Sequence, residues 1–212
     1  SVGLNSLFTE IIWWYPANSD FNNKAVSYNY AESQGVAGGV WALSTEARTS
    51  WMDSKVYEKP YATKFDTTGT GSFPTILGES GLGQTKYFQH EVGTDQRNED
   101  GSVTTITSSL QSYDFDLQGE EGTASRFVSV SRFLPDFKTI AGNATVTLAV
   151  KDFPSSTESS STHSPFTVTS STTKIDTRAR GRFVNVKIAN TAANESWRYG
   201  TLALDVKPDG GR

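Results

Sequence analysis

The amino-acid sequence predicts an all-β fold built from antiparallel sheets, and two observations carry this prediction. Thr, Ser, Gly and aromatic residues are abundant, while helix-favouring stretches are scarce and Met occurs once. Short runs rich in β-favouring residues recur between Gly-, Pro-, Asn- and Asp-rich connections, which is typical of successive hairpins. The length of 212 residues suffices for one large β domain or two smaller ones.

The first half of the chain is predicted to form two sets of short strands. These strands are predicted at Ile11–Tyr15, Lys24–Tyr30, 38–44, 47–57, 59–65 and Lys86–Val92. Each set covers about 40–45 residues, which is the spacing of β-propeller blades. Two blades do not close a ring, so we expect closing blades before Ser1 or from partner chains. The glycine-rich residues 67–83 are predicted to form a long loop. Because the chain lacks an initiator Met, we expect a processed product or a fragment.

The second half of the chain is predicted to form longer and more regular strands. They are predicted at Phe127–Phe133, Asn143–Asp152, Ser164–Ser170, Phe183–Ala189 and Thr201–Val206. Their alternation of apolar and polar residues is typical of sheets with one solvated face. We therefore predict propeller-type antiparallel blades over residues 1–110 and an antiparallel β-sandwich over residues 111–212. The Ser/Thr-rich segment 153–166, which contains His163, is predicted to be a solvated hairpin tip.

Composition and charge exclude several classes of protein. The formal charge of −4 and the pI near 5.2 argue against a general nucleic-acid binder. The absence of cysteine excludes disulfides, thiolate catalysis and cysteine-based metal sites. The sequence contains no run of about 18 apolar residues, so no membrane-spanning segment is predicted. We expect no cofactor and no metal site.

Two candidate metal sites lack the spacing that such sites need. His90 and Glu91 are adjacent, but the sequence contains no HExxH motif and no histidine pair at ligand spacing. The acidic turn Asp95–Gly101 lacks the D-x-D-x-D-G spacing of a calcium loop, and its Asp100-Gly101 dipeptide predicts a hairpin turn. We therefore interpret His90 as a strand residue whose polar side chain faces outward.

Asp114 and Asp116 are a carboxylate pair at strand spacing. Residues two apart share one face of a strand, so we expect both aspartates to be exposed and Tyr113, Phe115 and Leu117 to be buried. Paired carboxylates drive glycoside hydrolysis, but these two would point the same way, about 7 Å apart. A solvated strand face or a salt bridge is therefore the preferred interpretation, and a polysaccharide-degrading enzyme ranks last.

Three consecutive aromatic residues, Trp13, Trp14 and Tyr15, must point to both faces of their strand. At least one of them is expected to be partly exposed or to contact another blade or chain. Interface packing is the commoner role of such residues. Stacking on a sugar is the alternative, and it makes a carbohydrate- or receptor-binding β module the alternative function.

The segment Thr177–Arg182, TRARGR, concentrates three arginines in an acidic chain. If the segment is extended, Arg178, Arg180 and Arg182 share one face at intervals of about 7 Å. Gly181 leaves room for close backbone approach or for a bulge. Three roles are open: an ion-pair ladder across strands, a contact between subunits, and a patch facing DNA. Carboxylates near enough in the sequence to join a ladder are Asp176, Glu195, Asp205 and Asp209.

Six short motifs follow one another along the chain. They are Ala47–Trp51 (ARTSW), His90–Gly93 (HEVG), Ser131–Phe137 (SRFLPDF), Arg178–Arg182 (RARGR), Trp197–Thr201 (WRYGT) and Pro208–Arg212 (PDGGR). In this order they resemble the tail nozzle or stabilisation proteins of short-tailed bacteriophages (podoviruses), also called tubular tail protein B or tail hub proteins. The resemblance covers the chain from about Ile11 to Arg212 and corresponds to the C-terminal portion of longer proteins with more propeller blades.

The resemblance implies a structural virion protein that is not an enzyme. Members of this family form a ring, typically sixfold, below the portal and adaptor, build the tube through which DNA leaves, and hold fibres or a tail tip. We accordingly expect a homo-oligomer, a hexamer, with portal, adaptor and tail fibre partners and transient contact with phage DNA. A charge of −4 repeated around a ring suits a lumen through which DNA slides. The candidate residues for subunit interfaces or the DNA channel are Arg178, Arg180, Arg182, Trp197 and Arg198.

Overall fold

The computed structural model describes residues 1–55, 57–66, 84–98, 100–116, 126–153 and 161–211. Within these residues the protein consists of β-strands paired in antiparallel sheets and contains no helix, which confirms the predicted all-β class. The chain divides into two compact units, Ser1–Val92 and Gly93–Arg212. The described residues offer no helical segment that could cross a membrane.

The first unit consists of hairpin-connected strands in two sheets. Its described strands are β1 (Val2–Asn5), β2 (Glu10–Tyr15), β3 (Lys24–Asn29), β4 (Val40–Ser44), β5 (Ser50–Met52), β6 (Tyr61–Asp66) and β7 (Gln84–Gln89). Strands β1 to β4 pair in sequence order in one sheet, and β5 to β7 do so in the other. Both sheets are therefore meanders, as the turn-rich connections predict. The loop predicted over residues 67–83 lies outside the described residues.

A small core lies on one face of the first sheet. Ile12 and Trp14 alternate along β2 and are buried, because residues two apart share a face of a strand. Trp51 of β5 packs on Trp14 with 5.2 Å between ring centroids. Trp13 is half-buried and Tyr15 is exposed. The three aromatic residues thus face both sides of β2, and the expected exposure of at least one of them is confirmed.

The second unit has longer strands. Its described strands are β8 (Gln96–Arg97), β9 (Val103–Thr104), β10 (Ser108–Gln111), β11 (Phe115–Asp116), β12 (Arg126–Leu134), β13 (Phe137–Ala141), β14 (Ala144–Lys151), β15 (Ser161–Val168), β16 (Ile175–Gly181), β17 (Phe183–Asn190), β18 (Ser196–Tyr199) and β19 (Ala203–Gly211). One sheet has the order β10-β17-β14-β15, with β11 also paired to β17, and another has the order β16-β12-β19. Two further pairs are β13 with β18 and β8 with β9.

The core of the second unit draws on both of its larger sheets. Strand β14 alternates buried and half-buried residues over its whole length, with Val146 and Leu148 fully enclosed. Strand β12 contributes Val130 and Phe133 from the other sheet to the same hydrophobic cluster. Strands with one apolar face, as the sequence predicts, therefore bury that face in a shared core.

Two expectations for the second unit are wrong. Tyr113, which was expected to be buried, is 94% exposed, because β11 begins only at Phe115 and the preceding residues do not alternate across a sheet. His163 lies on β15 opposite Leu148, and not in a solvated hairpin tip, because β15 begins at Ser161. The remainder of the predicted tip, residues 154–160, lies outside the described residues.

The start of the second unit contains the predicted acidic turn. Gly101 N donates a hydrogen bond to Asn98 O over 3.0 Å, and Gly101 has a φ of 81°. The turn joins β8 to β9, which confirms the hairpin. The domain boundary placed after residue 110 falls inside β10, which pairs with β17, whereas the two compact units divide after Val92.

Candidate functional site

Strand β16 carries the arginine-rich segment on an exposed face. Buried and exposed residues alternate strictly along this strand. Arg178 and Arg180 are exposed on the same face as Asp176, as the alternation predicts. Arg182 follows the end of the strand and is half-buried. The structure therefore places two of the three arginines on the predicted strand face, with the third just beyond it.

Gly181 ends β16 where this strand approaches β14. A Cβ atom on Gly181 would lie 2.8 Å from Val150 Cβ and 3.1 Å from Lys151 O. Arg182 N donates a hydrogen bond to the same Lys151 O over 2.9 Å. The expectation that Gly181 leaves room for close backbone approach is confirmed.

Arg180 makes both an ionic and an aromatic contact. Its Nε donates a hydrogen bond to Asp209 Oδ2 over 2.6 Å, and its guanidinium lies 4.1 Å from the ring centroid of Phe127. The Arg182 guanidinium lies 4.7 Å from the same ring and 5.3 Å from that of Phe153. Because an aromatic face attracts a guanidinium, Phe127 positions two of the three arginines together.

A second group of ion pairs crosses all three strands of this sheet. Arg132 of β12 lies between two carboxylates, with 3.0 Å from Nε to Asp176 Oδ1 and 3.4 Å from Nη1 to Asp205 Oδ2. Lys174 Nζ lies 3.2 Å from Asp176 Oδ2. Hydrogen bonds from Arg132 and Lys174 lower the pKa of Asp176. The face therefore carries a ladder of arginine–carboxylate pairs, in which Arg132 is a member that the sequence analysis did not single out.

Trp197 and Arg198 lie on β18, which pairs with β13 in a different sheet from the arginine face. Trp197 is half-buried against the core and meets Phe137 edge-on, with 6.4 Å between ring centroids. Arg198 is exposed, and its register partner is Thr139. The structure thus gives Trp197 a packing role and places Arg198 at the surface.

The chain turns tightly against Asp136 after β18. Gly200 N donates to Asp136 O over 2.7 Å, and Thr201 N donates to Asp136 Oδ2 over 2.7 Å. Burial and the Asp136 charge raise the pKa of Tyr199 to about 12. A Cβ atom on Gly200 would clash with Asp136 Oδ2 and lie 3.0 Å from Asp136 O. The turn therefore favours glycine at this position.

We expect Gly200→Ala to lower the unfolding free energy by about 1–3 kcal/mol, the usual cost of forcing a methyl group into filled space. Denaturant unfolding followed by circular dichroism measures this change. The matched control is Thr201→Ala, which changes an exposed neighbour by a similar volume and should stay within about 0.5 kcal/mol of the parent protein. Equal stability of the two variants would show that the turn relaxes without cost.

Of the two aspartates predicted as a carboxylate pair, Asp114, which precedes β11, forms a salt bridge. Asp114 Oδ2 accepts a hydrogen bond from Lys151 Nζ over 2.7 Å. Asp116 is exposed on the strand itself, beside the half-buried Phe115. The contact with Lys151 agrees with the salt-bridge interpretation of Asp114.

The first unit contains a polar cavity of about 190 Å³ at one face of the sheet β1–β4. Four titratable side chains line it: Glu10, Glu46, His90 and Glu91. His90 and Glu91 were candidates from the sequence, whereas Glu10 and Glu46 were not. Among the described residues, no three metal-ligating side chains are grouped so that they could hold a metal ion.

His90 is held by a buried arginine. Arg48 Nε donates a hydrogen bond to His90 Nε2 over 2.8 Å, and Arg48 Nη2 lies 2.9 Å from Glu46 Oε1. Trp51 meets the imidazole edge-on, with 4.7 Å between ring centroids. Burial, and then the positive charge of Arg48, lower the pKa of His90 to about 4. His90 is therefore a neutral, half-buried hydrogen-bond acceptor, and its interpretation as an outward-facing polar residue is wrong.

Glu10 and Glu91 share the other part of the cavity. Asn5 Nδ2 donates a hydrogen bond to Glu91 Oε1 over 3.0 Å. Burial raises the pKa of Glu91, and burial together with the Glu91 charge raises the pKa of Glu10. The two carboxylates therefore hold their charge less readily than carboxylates in water.

The motifs that are far apart in the sequence meet in pairs. The pairs, with the contact that joins each, are ARTSW with HEVG through Arg48 and His90, SRFLPDF with WRYGT through Asp136 and Gly200, and RARGR with PDGGR through Arg180 and Asp209. Each pair joins segments that only the fold brings together. The motif residues are thus largely used in contacts with one another.

The chain matches no protein-family model, and no curated protein matches it.

Proposed function

We propose that this chain is a structural subunit of the tail nozzle of a short-tailed bacteriophage. Copies of it form a ring that serves as the DNA exit conduit and as an attachment platform. The observation that carries the proposal is the pairwise meeting of the motifs that resemble this family. Their charged and glycine residues contact one another within the chain, which gives these residues a structural role. The protein then works in the virion without catalysis.

The proposal includes a finer description of the fold. The meander β1–β4 has the strand number and order of one propeller blade, and the β5–β7 meander follows it as part of a second blade. In the second unit, two sheets contribute to one core, as they do in a β-sandwich. Further blades, from elsewhere in the protein or from neighbouring copies, complete the propeller in this proposal.

Strand β4 supports assembly into a ring. It pairs only with β3 among the described strands, so no described strand covers its other edge. Every residue of β4 is exposed, including Val40, Trp41 and Leu43, the last at 79%. An exposed apolar strand edge marks a surface that a further strand or subunit covers.

We expect the double variant Val40→Ser and Leu43→Ser to weaken the ring. Each apolar side chain that an interface buries contributes about 1.5–3 kcal/mol, so the subunit affinity should fall by about tenfold or more. Native mass spectrometry and electron microscopy of the purified protein measure ring occupancy.

Tyr113→Ser is the matched control for this experiment. It also removes an exposed apolar side chain, but one that lies outside any strand. The control should assemble like the parent protein. A full-length parent protein that is strictly monomeric and does not associate with virions would contradict the proposed function.

For the arginine face, we expect Arg180→Ala to weaken assembly without changing DNA affinity. The Arg180–Asp209 pair is half-exposed, so its loss should change the unfolding free energy by less than about 1 kcal/mol. Lys207→Ala, which removes another exposed positive charge from the same sheet, is the control. Unchanged assembly together with lost DNA binding would instead assign Arg180 to the DNA channel.

The charge of the chain fits passage of DNA better than retention of DNA. The net charge of −4 per copy gives an acidic ring. On this sheet face, the charge of Arg132 is already offset by Asp176 and Asp205. The charge of Arg180 is offset by Asp209. We therefore place portal, adaptor and fibre proteins as the stable partners of the assembled hexamer, and phage DNA as a transient one.

A carbohydrate- or receptor-binding module is the second candidate function, and the cavity of the first unit favours it. Trp14 does not support sugar binding, because it is 2% exposed and belongs to the core. Trp13 stacks on Trp41 with 6.0 Å between ring centroids. A ligand-binding role would therefore depend on the cavity and not on the consecutive tryptophans.

A further inference from the structure

The cavity in the first unit exists because small side chains face it. Its walls on β3 and β4 are formed by Ala25, Ser27, Ala42 and Ser44. These residues occupy opposite positions in the register, Ser27 with Ala42 and Ala25 with Ser44. Because none of them fills the space over the sheet, about 190 Å³ stays open on the side where a larger residue would extend the core.

Glu10 places a carboxylate on the core-facing side of β2. It alternates with Ile12 and Trp14, which are both buried, so its side chain lies on the apolar face of the strand. Across the sheet, Glu10 is the register partner of Asn5 on β1. A half-buried carboxylate in this position costs free energy unless a partner compensates its charge. Among the described residues, Glu10 forms no ion pair.

Asn5 leaves a buried acceptor without a donor. The residue is 1% exposed and lines the cavity. Its Nδ2 donates a hydrogen bond to Glu91 Oε1, but its Oδ1 accepts no hydrogen bond from the described residues. A buried acceptor without a donor costs about 1–3 kcal/mol, so such an atom calls for a ligand or an ordered water. This observation is independent of the carboxylates and points to a bound group that donates hydrogen bonds.

The arginine near the cavity is already engaged, and no lysine is among the described residues that line the cavity. Arg48 is paired with Glu46 and donates to His90 and to Ala47 O. His90 is neutral, and the Lys59 charge is the smallest of the influences on Glu91. The cavity therefore presents acceptors and negative charge, with no arginine fork left to receive an anion.

We propose that this cavity binds a small organic molecule through a protonated amine, whose charge is balanced by Glu10 and Glu91 and whose N–H groups reach Asn5 Oδ1. Trp51 also lines the cavity and offers an aromatic surface to the cation or to the carbon atoms that carry it. Ile12 and Ala25 form an apolar part of the cavity wall. Such a mixed lining suits an organic amine better than a metal ion, because apolar walls cannot form hydrogen bonds with the water molecules around a hydrated ion.

Calorimetric titration of the purified protein at pH 7 with two matched ligand pairs tests this proposal. One pair is 1,4-diaminobutane with 1,4-butanediol, and the other is D-glucosamine with D-glucose. Within each pair the amine is replaced by a neutral hydroxyl of similar size. We expect at least one amine to bind about tenfold more tightly than its neutral counterpart, the ratio that one charge-assisted hydrogen bond supplies. The pair that shows this preference identifies whether a sugar ring contributes.

Two variants locate the binding. Glu10→Gln keeps the size of the side chain and should weaken amine binding by about tenfold or more. Ser27→Val fills the cavity without changing its charge and should also abolish binding. Asp114→Asn, which removes one negative charge from the second unit, should leave binding unchanged. Circular dichroism spectra confirm that each variant is folded.

Several results would overturn the proposal. They are failure of both amines to bind, equal binding of amines and neutral counterparts, and unchanged binding after both Glu10→Gln and Ser27→Val. Displacement of the amine by millimolar Mg²⁺ or Ca²⁺ would reassign the cavity to a metal ion. Strand β4 borders the cavity and also carries the edge proposed for assembly, so the oligomeric state is measured in the same samples. Amine binding by a protein that stays monomeric would support the cavity proposal while contradicting the nozzle role.

Discussion

Replacement of Trp14 by alanine is expected to lower the unfolding free energy of the first unit by about 3–5 kcal/mol, the usual cost of deleting a large buried aromatic side chain. The buried core of this unit is small, with Ile12, Trp14 and Ala25 buried and Trp51 packed on them. Since a domain is stable by only about 5–15 kcal/mol, most of this unit should open to solvent. Hydrogen–deuterium exchange of peptides from β2 and β3 measures the loss of protection.

Trp13→Ala is the matched control, because it removes the same side chain one residue earlier on the other face of β2. Trp13 is half-buried and stacks on Trp41, so we expect a loss of about 1 kcal/mol. Peptides from β14 in the second unit should keep their protection in both variants. Similar effects of the two substitutions would mean that the core does not lie on the Trp14 face. Because Trp14→Ala unfolds the unit, lost glycan binding in that variant would not identify a sugar site.

The second large effect is a loss of stability of the first unit in mild acid. The folded pKa of His90 is about 4, against 6.5 in the unfolded chain. Between these values the unfolded chain binds a proton that the folded unit does not, so the unfolding free energy falls as the pH falls from about 6.5 to about 4. A shift of this size corresponds to roughly 3 kcal/mol. Protonation of Nε2 also removes the acceptor that Arg48 uses.

The carboxylates of the cavity act in the opposite direction. Glu10 and Glu91 have raised pKa values in the folded unit, so they take up protons more readily there than in the unfolded chain. Their contribution to stability therefore rises as the pH falls through their folded pKa values. Comparing the parent protein with a variant that keeps both carboxylates separates their effect from that of His90.

His90→Gln keeps a side-chain acceptor for Arg48 but cannot be protonated in this range. Unfolding free energies measured from pH 7 to pH 4.5 should fall in the parent protein relative to this variant. The control His163→Gln removes the histidine of the second unit and should retain the acid sensitivity due to His90. Parallel curves for the parent protein and His90→Gln would show that His90 titrates alike in the folded and unfolded chain.

Local alternation made much of the fold predictable. Apolar and polar residues alternate along most of strand β14, and the apolar residues are the buried ones. The same rule places Arg178 and Arg180 on one exposed face of β16. Where a strand is very short the rule fails, as at Tyr113, because a two-residue strand such as β11 imposes no alternation on the residues before it.

The cavity was harder to predict from the sequence than the strands were, although one of its residues follows a local pattern. Glu10 alternates with Ile12 and Trp14, so a charge on the apolar face of β2 is visible in the sequence. The contact of Arg48 with His90 is not visible in the sequence. It joins the residues before β5 to the residue after β7, which only the pairing of strands in the fold brings together. Phe127 is a similar case, since its place beneath two guanidinium groups depends on the pairing of β12 with β16.

The position of β12 at the centre of its sheet has a consequence for how fast the protein reaches its native state. Its two neighbours, β16 and β19, are both distant in the sequence, and strands β13 to β18 lie between β12 and β19. The nascent chain must therefore carry β12 with both edges open until β16 has been synthesised, and with one edge open until the residues from 203 onward have followed. Pairings of such high contact order form slowly. Until they form, the unpaired strand edges can associate with other chains and cause aggregation. A chaperone that shields β12 during synthesis should thus raise the yield of native subunit.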